Sequence, residues 1–267
     1  MAQTITLTGM VLSAVPVGEY DKRIVLLTKE RGKVSAFARG ARRPNSQLIA
    51  ASNPFSFGQF EAYEGRSSYT VVKADISNYF RELAADFEGA YYGFYFMEIA
   101  DYYARENIDE IHMLKLLYQS LRALENKNLD NCLVRRIFEL KAMVVNGESP
   151  NVFTCLKCGR EKELRYFHVR SGGTLCEACG RQMQQARKLD SSTLYTLQYI
   201  ITSKIEKLYT FKVSPEVLHG LAQIMDEYMA YYIDKEFHAL QVLEENEGFA
   251  QSLKLEINGC NKCRKRV

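Results

Sequence analysis

Residues 23–39, RIVLLTKERGKVSAFAR, decide how the first part of the chain folds. The run RIVLLT at 23–28 is apolar and has the length of a strand, and ERG at 30–32 has the composition of a tight turn. In KVSAFAR at 33–39, small apolar residues alternate with larger or charged ones, which is the two-residue period of a half-buried strand. Its second face carries Lys33, Ser35, Phe37 and Arg39. The stretch predicts a β-hairpin with one basic and aromatic face.

Three further strands are predicted within the first 80 residues. They are TITLTGMVL at 4–12, PFSFGQFEAY at 54–63 and SYTVVKADI at 68–76. In the first, Ile5, Leu7 and Val11 form the apolar face, and Met10 falls on the other. Gly58 is a predicted bulge or bend. Five short strands with a long connection at 40–53 predict a small closed barrel of OB type, with an SH3-like barrel as the alternative that the pattern leaves open.

The periodicity becomes helical from about residue 78. Helical segments are predicted at 80–106, 108–126, 130–147, 190–211 and 214–237. Asp130 is a predicted N-cap, and Ser214 followed by Pro215 predicts a helix start. In the first segment a stripe of aromatic residues is predicted to face the core, namely Phe87, Tyr91, Phe94, Tyr95 and Tyr102.

Two Cys-x-x-Cys pairs separate the helical segments. Their members are Cys155, Cys158, Cys176 and Cys179. This spacing predicts a zinc ribbon, with one structural Zn²⁺ held by four thiolates; an iron–sulfur cluster is a weaker alternative. ELRYFHV and SGG between the pairs predict a hairpin, and Gly159 and Gly180 are predicted to relax the two turns. His168 is interpreted as a surface or packing residue.

Three cysteines lie outside these pairs. Cys132 is predicted to be a small buried residue. Cys260 and Cys263 are interpreted as part of a flexible basic tail, with a second or intermolecular metal site as the alternative. Paired cysteines of this kind are typical of a metal site in a reducing cytosol.

The composition is that of a folded protein that is not embedded in a membrane. The chain has 267 residues, of which 47% are hydrophobic and 25% charged. The first twenty residues lack the basic start and long apolar run of a secretory signal. No run approaches the ~18 apolar residues of a membrane span. We therefore expect a cytoplasmic location and no membrane partner.

Positive charge is concentrated in two blocks. Residues 1–80 contain ten Lys and Arg against six Asp and Glu, and residues 155–188 contain eight against three. The blocks at 81–154 and 189–267 are acidic. A polyanion such as DNA is therefore expected on the barrel first and on the cysteine block second.

The barrel carries the candidate DNA-binding residues. They are Lys22 and Arg23, placed in the loop between the first two strands, together with Lys33, Phe37, Arg39, Arg42 and Arg43. Cationic side chains pair with phosphates and an aromatic ring stacks on bases, which is how single-stranded nucleic acid is bound. Phe37 facing the core and a merely solvated basic loop are the structural alternatives.

Several of these stretches together resemble the RecO family of bacterial recombination mediators. The resemblance rests on GEYDKRIVLLT, ARGARRP, NPFSFGQFEAYEG and the cysteine block, and it extends over essentially the whole chain. It implies an OB-fold that binds single- and double-stranded DNA and anneals complementary strands. It also implies work with RecR and sometimes RecF, handling of strands coated by single-strand-binding protein, and loading of RecA. A nucleoid-associated, non-catalytic protein is implied.

The resulting fold class is α+β and multidomain. The expected units are an OB-fold DNA-binding barrel at 1–79, a helical domain in two parts at 80–150 and 189–250, a zinc-binding insertion at 151–188 and a tail at 251–267. Two other functions stay open, namely a zinc-stabilised adaptor that does not bind DNA, and a metal-dependent nucleic-acid enzyme. Against the enzyme, the chain has no P-loop, HExxH, GxSxG or deaminase signature.

Overall fold

Five strands close into a barrel at the N-terminal end of the chain. They are β1 (Thr4–Val17), β2 (Asp21–Thr28), β3 (Gly32–Ala38), β4 (Phe57–Glu64) and β5 (Tyr69–Asn78). The order around the barrel is β1-β2-β3-β5-β4, in which β3 and β5 pair in parallel and the other pairings are antiparallel. This is the five-stranded OB arrangement, and it excludes the SH3-like alternative. A single helical turn, α1 (Leu48–Ala51), lies between β3 and β4.

The computed structural model describes residues 4–66 and 68–246. The predicted tail with Cys260 and Cys263 lies outside the described residues. Alternation along β3 is confirmed, because Val34, Ala36 and Ala38 are buried while the residues between them are partly exposed. The predicted irregularity at Gly58 is confirmed as well. The pairing register with β5 shifts there, and a Cβ at this position would lie 2.2 Å from the Asp75 carbonyl oxygen.

One wall of the barrel is covered by helices, which the strand pattern did not predict. Met10 was predicted to face away from the apolar side, yet it is fully buried. Together with Leu12 and Leu27 it belongs to the large core of the helical domain and not to the barrel interior. The physical reason is that α3 packs on β1, so both faces of that strand are buried over part of its length.

Among the residues that the structure describes, the helical domain contains five longer helices. The helices of the chain after α1 are α2 (Arg81–Ala85), α3 (Phe87–Tyr103), α4 (Ile111–Leu124), α5 (Asn131–Val145), α6 (Glu177–Gly180), α7 (Ser191–Thr202) and α8 (Pro215–Tyr232), and residues 238–246 are also helical. The predicted N-caps are confirmed, since Asp130 accepts the N–H groups of Cys132 and Leu133, and Ser214 accepts that of Val217. Within the described ranges, no helix combines the length and apolarity needed to cross a bilayer.

Three predicted helical segments end early or are interrupted, of which the segment at 214–237 ends at Tyr232 because Ile233 is extended. The segment at 80–106 is split at Asp86, whose extended backbone separates α2 from α3. The segment at 190–211 ends at Thr202, because Ser203 is extended and a single 3-10 turn follows. Phe87 was predicted to face the core but is 55% exposed, since it occupies the first turn of α3 beyond the edge of the core.

The cysteine block folds as a small lobe between α5 and α7. Strands β6 (Leu164–His168), β7 (Gly173–Cys176) and β8 (Arg187–Lys188) form a sheet in the order β7-β6-β8. The predicted hairpin is therefore present as β6 and β7. Phe167 reaches out of the lobe and meets the Tyr228 ring of α8 edge-on at 6.0 Å, which docks the lobe on the helical domain.

A buried ionic network holds α3, α5 and α8 together. Glu139 is fully buried and accepts hydrogen bonds from Tyr95 at 2.7 Å, Arg135 at 2.8 Å and Arg136 at 3.0 Å. Arg136 also donates to Asp226 at 2.6 Å. Burial alone would raise the pKa of Glu139, but the two guanidinium groups outweigh it and hold the pKa below its ordinary value.

We expect Glu139→Gln to lower the free energy of unfolding by about 3 kcal/mol, because it leaves two buried guanidinium groups short of an anion. Urea unfolding at pH 7 measures the difference. Because the pKa of Glu139 is lowered by folding, its stabilisation is complete above the ordinary value of 4.5 and is lost as the pH falls below it. The gap between the two proteins should therefore shrink in acid.

Glu61→Gln is the matched control. Glu61 lies 3.5 Å from the Lys73 ammonium in an exposed pair on the barrel, so its replacement should cost less than about 1 kcal/mol. Equal losses in the two variants would contradict the role assigned to the buried network.

Candidate nucleic-acid surface and metal centre

All of the predicted basic residues except Lys33 meet at the end of the barrel where β2 begins and β3 ends. Lys22 pairs with Ala38 across these strands, and the loop at 39–47 starts immediately after β3. Within this loop Ala41 is buried in the barrel core, while Arg39, Arg42 and Arg43 are exposed. An apolar anchor therefore fixes a loop whose cationic side chains point into solvent.

Two of the three loop arginines are oriented by the β1–β2 turn. Arg42 donates from Nη1 to the Gly18 carbonyl oxygen at 3.2 Å, and the Arg43 guanidinium lies 5.0 Å from the centre of the Tyr20 ring. The Arg39 side chain has no hydrogen bond or ion pair within the part of the chain that the structure describes. None of the three is neutralised by a carboxylate among the described residues, so each retains its full charge for a ligand.

Lys22 and Arg23 do not lie in a loop, as was predicted, but in β2, because this strand already begins at Asp21. Lys22 donates from Nζ to Asn53 Oδ1 at 2.6 Å. Burial, with a smaller effect from the charge of Arg42, lowers the pKa of its amine. Lys22 thus ties β2 to the connection before β4 and is less available to a ligand than the arginines.

Arg23 and Phe37 lie side by side on the outer wall of the barrel. They are cross-strand partners in β2 and β3, and Arg23 Nε donates to Ser35 Oγ at 3.0 Å. Phe37 is half-buried on this outer face, as the alternation predicted, and is not part of the barrel interior. A guanidinium and an aromatic ring therefore stand next to each other facing outward.

This pair is the centre of a row that runs across the strands. Val15 is the partner of Arg23 on β1, Thr70 is the partner of Phe37 on β5, and Tyr63 follows on β4. Val15 is 59% exposed and Tyr63 is 41% exposed. Sequence reasoning missed both residues, because their position beside Phe37 depends on strand register, although an isolated apolar residue on the outer face of a strand is a usable signal.

Lys33 is not brought together with the other basic residues. It lies at the opposite end of β3, where its Nζ donates to the Asp101 carbonyl oxygen at 2.7 Å and lies 3.3 Å from the Asp101 carboxylate. These contacts join the barrel to α3. Lys33 is already paired with Asp101, and this internal contact argues against the DNA-binding role predicted for it.

The four paired cysteines converge on one point. Their Sγ atoms all lie within 4.8 Å of one another, and those of Cys158 and Cys176 are 3.7 Å apart. Sulfur atoms around a tetrahedral ion at Zn–S distances of about 2.3 Å would be separated by about 3.8 Å. Cys155 and Cys176 are buried and Cys158 is exposed, with no disulfide among the described cysteines. The set can hold a metal ion.

Local backbone geometry prepares the first pair for a ligand. The Cys155 carbonyl oxygen accepts the N–H of Gly159 at 2.8 Å, and the left-handed backbone of Gly159, with φ +72°, is the turn predicted there. Glycine is required at position 180 for a different reason from the predicted turn. Gly180 is helical, and a Cβ at this position would lie 2.3 Å from the Tyr166 ring, so glycine is needed for packing.

The thiols of the cluster do not ionise equally. Burial alone raises the pKa of Cys155, but backbone N–H groups, first that of Cys176, outweigh it and lower the pKa to about 6. A hydrogen bond with Cys176 comes first among the causes that raise the pKa of Cys179 to about 12. Four neighbouring thiolates repel one another, so a cation is required to hold all of them in the charged form.

The structure also tests the interpretations of His168 and Cys132. His168 is a buried packing residue whose Nδ1 lies 2.7 Å from Ser171 Oγ. Cys132 was predicted to be buried and is exposed, because it lies on the outer side of the first turn of α5. The cysteine lobe was expected to add secondary DNA contacts through its basic residues, and these are exposed: Lys157, Arg160, Lys162, Arg165, Arg170 and Arg181. Arg160 and Arg181 are paired with glutamates.

The fold and site define a multidomain OB-fold protein whose helical domain carries a four-cysteine lobe suited to a metal ion. Residues 1–80 match the family model "Recombination protein O N terminal", and residues 84–241 match "Recombination protein O C terminal". The chain therefore belongs to the RecO family.

Curated relatives agree with this assignment. The chain is 31% identical to the DNA repair protein RecO of Acetivibrio thermocellus over 89% of its own length and 95% of that protein. It is 28% identical to the DNA repair protein RecO of Bacillus pumilus over 95% and 97% of the two chains. The similarity thus covers the barrel, the helical domain and the cysteine lobe together.

We expect purified protein to contain one tightly held metal ion per chain and Cys176→Ser to lose it. Cys176 is fully buried at the end of β7, so its replacement removes a ligand that no other described residue can supply. Elemental analysis of the purified chains measures the content. Cys132→Ser, which changes a cysteine outside the cluster, should retain the ion. Equal metal content in both variants would contradict the assignment.

Proposed function

We propose that the protein is a non-catalytic mediator of DNA repair and recombination that binds single- and double-stranded DNA and anneals complementary strands. The observation that carries the proposal is the group of exposed, unneutralised arginines at one end of the barrel, Arg39, Arg42 and Arg43, beside the outward-facing pair of Arg23 and Phe37. These residues combine phosphate-binding charge with a surface for base stacking.

Annealing requires a surface that reduces repulsion between phosphate groups, and it requires no catalytic group. Two phosphate backbones repel each other, and a cationic surface lowers that repulsion while leaving the bases free to pair. No bond to the sugar, base or phosphate needs to break. A row of one guanidinium, two aromatic rings and two smaller side chains can hold a strand without reading its sequence, because every base has a face on which a ring can stack.

Membership of the RecO family supports the choice of partners. In this proposal the protein acts with RecR, and in some pathways with RecF, on strands coated by single-strand-binding protein, and helps to load RecA. This places it in the cytoplasm at the nucleoid. The acidic helical domain provides a second, oppositely charged part of the molecule for protein partners.

The metal in the cysteine lobe is proposed to be one structural Zn²⁺. Four thiolates at these distances complete a tetrahedral set, so the ion would organise the backbone and offer no open position for a substrate. The lobe has a small apolar core around Leu164 and Leu175, which is less than an independent fold of this size needs. Zinc would therefore act as a clip, with the exposed cations of the lobe as secondary DNA contacts.

Two alternative functions have less support. An adaptor with an inert barrel does not explain why three guanidinium groups are held exposed at one end without acidic partners. A metal-dependent enzyme does not fit a cluster in which all four ligands are cysteines. An adaptor role of the helical domain is compatible with DNA binding by the barrel.

Reversing the charge of the three loop arginines, in the variant Arg39→Glu/Arg42→Glu/Arg43→Glu, should abolish annealing of complementary oligonucleotides. We expect affinity for single strands to fall on the order of a hundredfold, and the slope of log K against log salt to decrease by roughly 2, since about three phosphate contacts are lost. Fluorescence anisotropy over a salt series measures both quantities.

The matched control reverses three exposed cations of the cysteine lobe, in Lys157→Glu/Lys162→Glu/Arg165→Glu. This variant changes the net charge by the same amount but should affect binding far less. If the loop variant anneals as well as the wild type, the barrel is not the DNA surface. Similar losses in both variants would indicate that net charge matters and position does not.

Phe37→Ala should weaken binding to single strands by about 1–3 kcal/mol while leaving duplex binding nearly unchanged. The reason is that stacking requires an unpaired base, whereas phosphate contacts are available in both kinds of DNA. Competition between single- and double-stranded oligonucleotides measures the ratio. Tyr195→Ala, at an aromatic residue that is 67% exposed on α7, is the control and should leave the ratio unaltered.

A further inference from the structure

An acidic residue sits within the basic end of the barrel. Asp21 is the first residue of β2 and precedes Lys22 and Arg23. By charge alone it would weaken the attraction of this surface for DNA. Its carboxylate forms no ion pair with a described lysine or arginine, so it does not serve to orient or neutralise one of the cationic side chains.

The carboxylate binds the backbone of the arginine loop instead. Asp21 Oδ1 accepts the N–H of Gly40 at 2.7 Å. Gly40 is the residue between Arg39 and Ala41, and its φ of +67° lies in the left-handed region that favours glycine. The hydrogen bond therefore acts on the residue at which the chain turns out of β3 and into the loop.

The next residues of the loop are held by the same turn between β1 and β2. The N–H of Arg42 donates to the Tyr20 carbonyl oxygen at 2.8 Å, and Ala41 is buried between these two contacts. Tyr20 ends the turn and Asp21 begins β2, so two adjacent residues fix the backbone on both sides of Ala41. The side chains of Arg39, Arg42 and Arg43 are attached to this fixed segment.

We propose that Asp21 is a positioning residue for nucleic-acid binding, which holds the loop at 39–47 through Gly40 so that its three arginines are presented together. This inference rests on the proposed function of the barrel surface. A loop that is already ordered before binding loses less conformational freedom when it meets the phosphates. The benefit of that order outweighs the unfavourable charge of the carboxylate.

The test compares three variants for binding to a single-stranded oligonucleotide by the full chain. Asp21→Asn removes the charge and keeps a carbonyl oxygen as acceptor, and Asp21→Ala removes both. Glu19→Gln removes one negative charge from the same turn without altering the contact to Gly40.

If charge were all that mattered, the three variants would bind more tightly than the wild type and by similar factors. We expect binding tighter than that of the wild type only for Asp21→Asn and Glu19→Gln. Asp21→Ala should bind about tenfold more weakly than Asp21→Asn, although their net charges are equal. Equal affinities of the alanine and asparagine variants would overturn the proposal.

A second pair of variants covers the case in which Asp21→Ala does not fold. Gly40→Asn keeps a residue that tolerates a left-handed backbone, whereas Gly40→Val introduces a β-branched residue that does not. We expect the valine variant to lose affinity and the asparagine variant to retain it. Equal binding by these two would show that the path of the loop at Gly40 is unimportant.

Failure of the proposed function has a different outcome. If the wild-type chain and Asp21→Asn both fail to bind the oligonucleotide at low salt, the barrel surface does not take nucleic acid. If both bind and only the predicted loss in Asp21→Ala is missing, the surface stands and the positioning role of Asp21 is wrong.

Discussion

The shared core between the barrel and the helices is the constraint on which the other features depend. Met10, Leu12 and Leu27 lie on the outer wall of β1 and β2, and their side chains pack into the core of the helical domain. That wall is therefore closed to any ligand, and the Lys33–Asp101 contact strengthens the junction. Among the described residues, no helix of the helical domain covers the far end of the barrel or the outer face around Phe37, where the arginines lie.

The cysteine lobe depends on a different balance of forces. It contributes few buried apolar residues of its own, and the contact of Phe167 with Tyr228 attaches it to α8. Four thiols brought within 4.8 Å of one another repel when ionised and attract a cation. A bound metal ion would therefore couple to folding of the lobe. The proposed DNA surface lies on the barrel, whose interior is filled by its own side chains.

Local signals in the sequence were sufficient for much of this architecture. The alternation in β3, the N-caps Asp130 and Ser214 and the spacing of the four cysteines each depend on residues close together in the chain, and the structure confirms them. Errors occurred where a distant element changed the environment. Met10 was misplaced because α3 covers β1, and Phe87 because the core ends before the first turn of α3.

From its amino-acid pattern alone, the chain could be assigned a barrel, a helical domain, a four-cysteine metal site and a basic surface, because periodicity, spacing and charge are local properties. The selection among the basic residues required three-dimensional contacts. Strand register places Arg23 beside Phe37, Asp21 at the start of β2 holds the arginine loop, and Asp101 of α3 binds Lys33. These contacts join residues far apart in sequence. A local sequence pattern therefore does not predict which basic side chain is paired within the protein and which is left for a ligand.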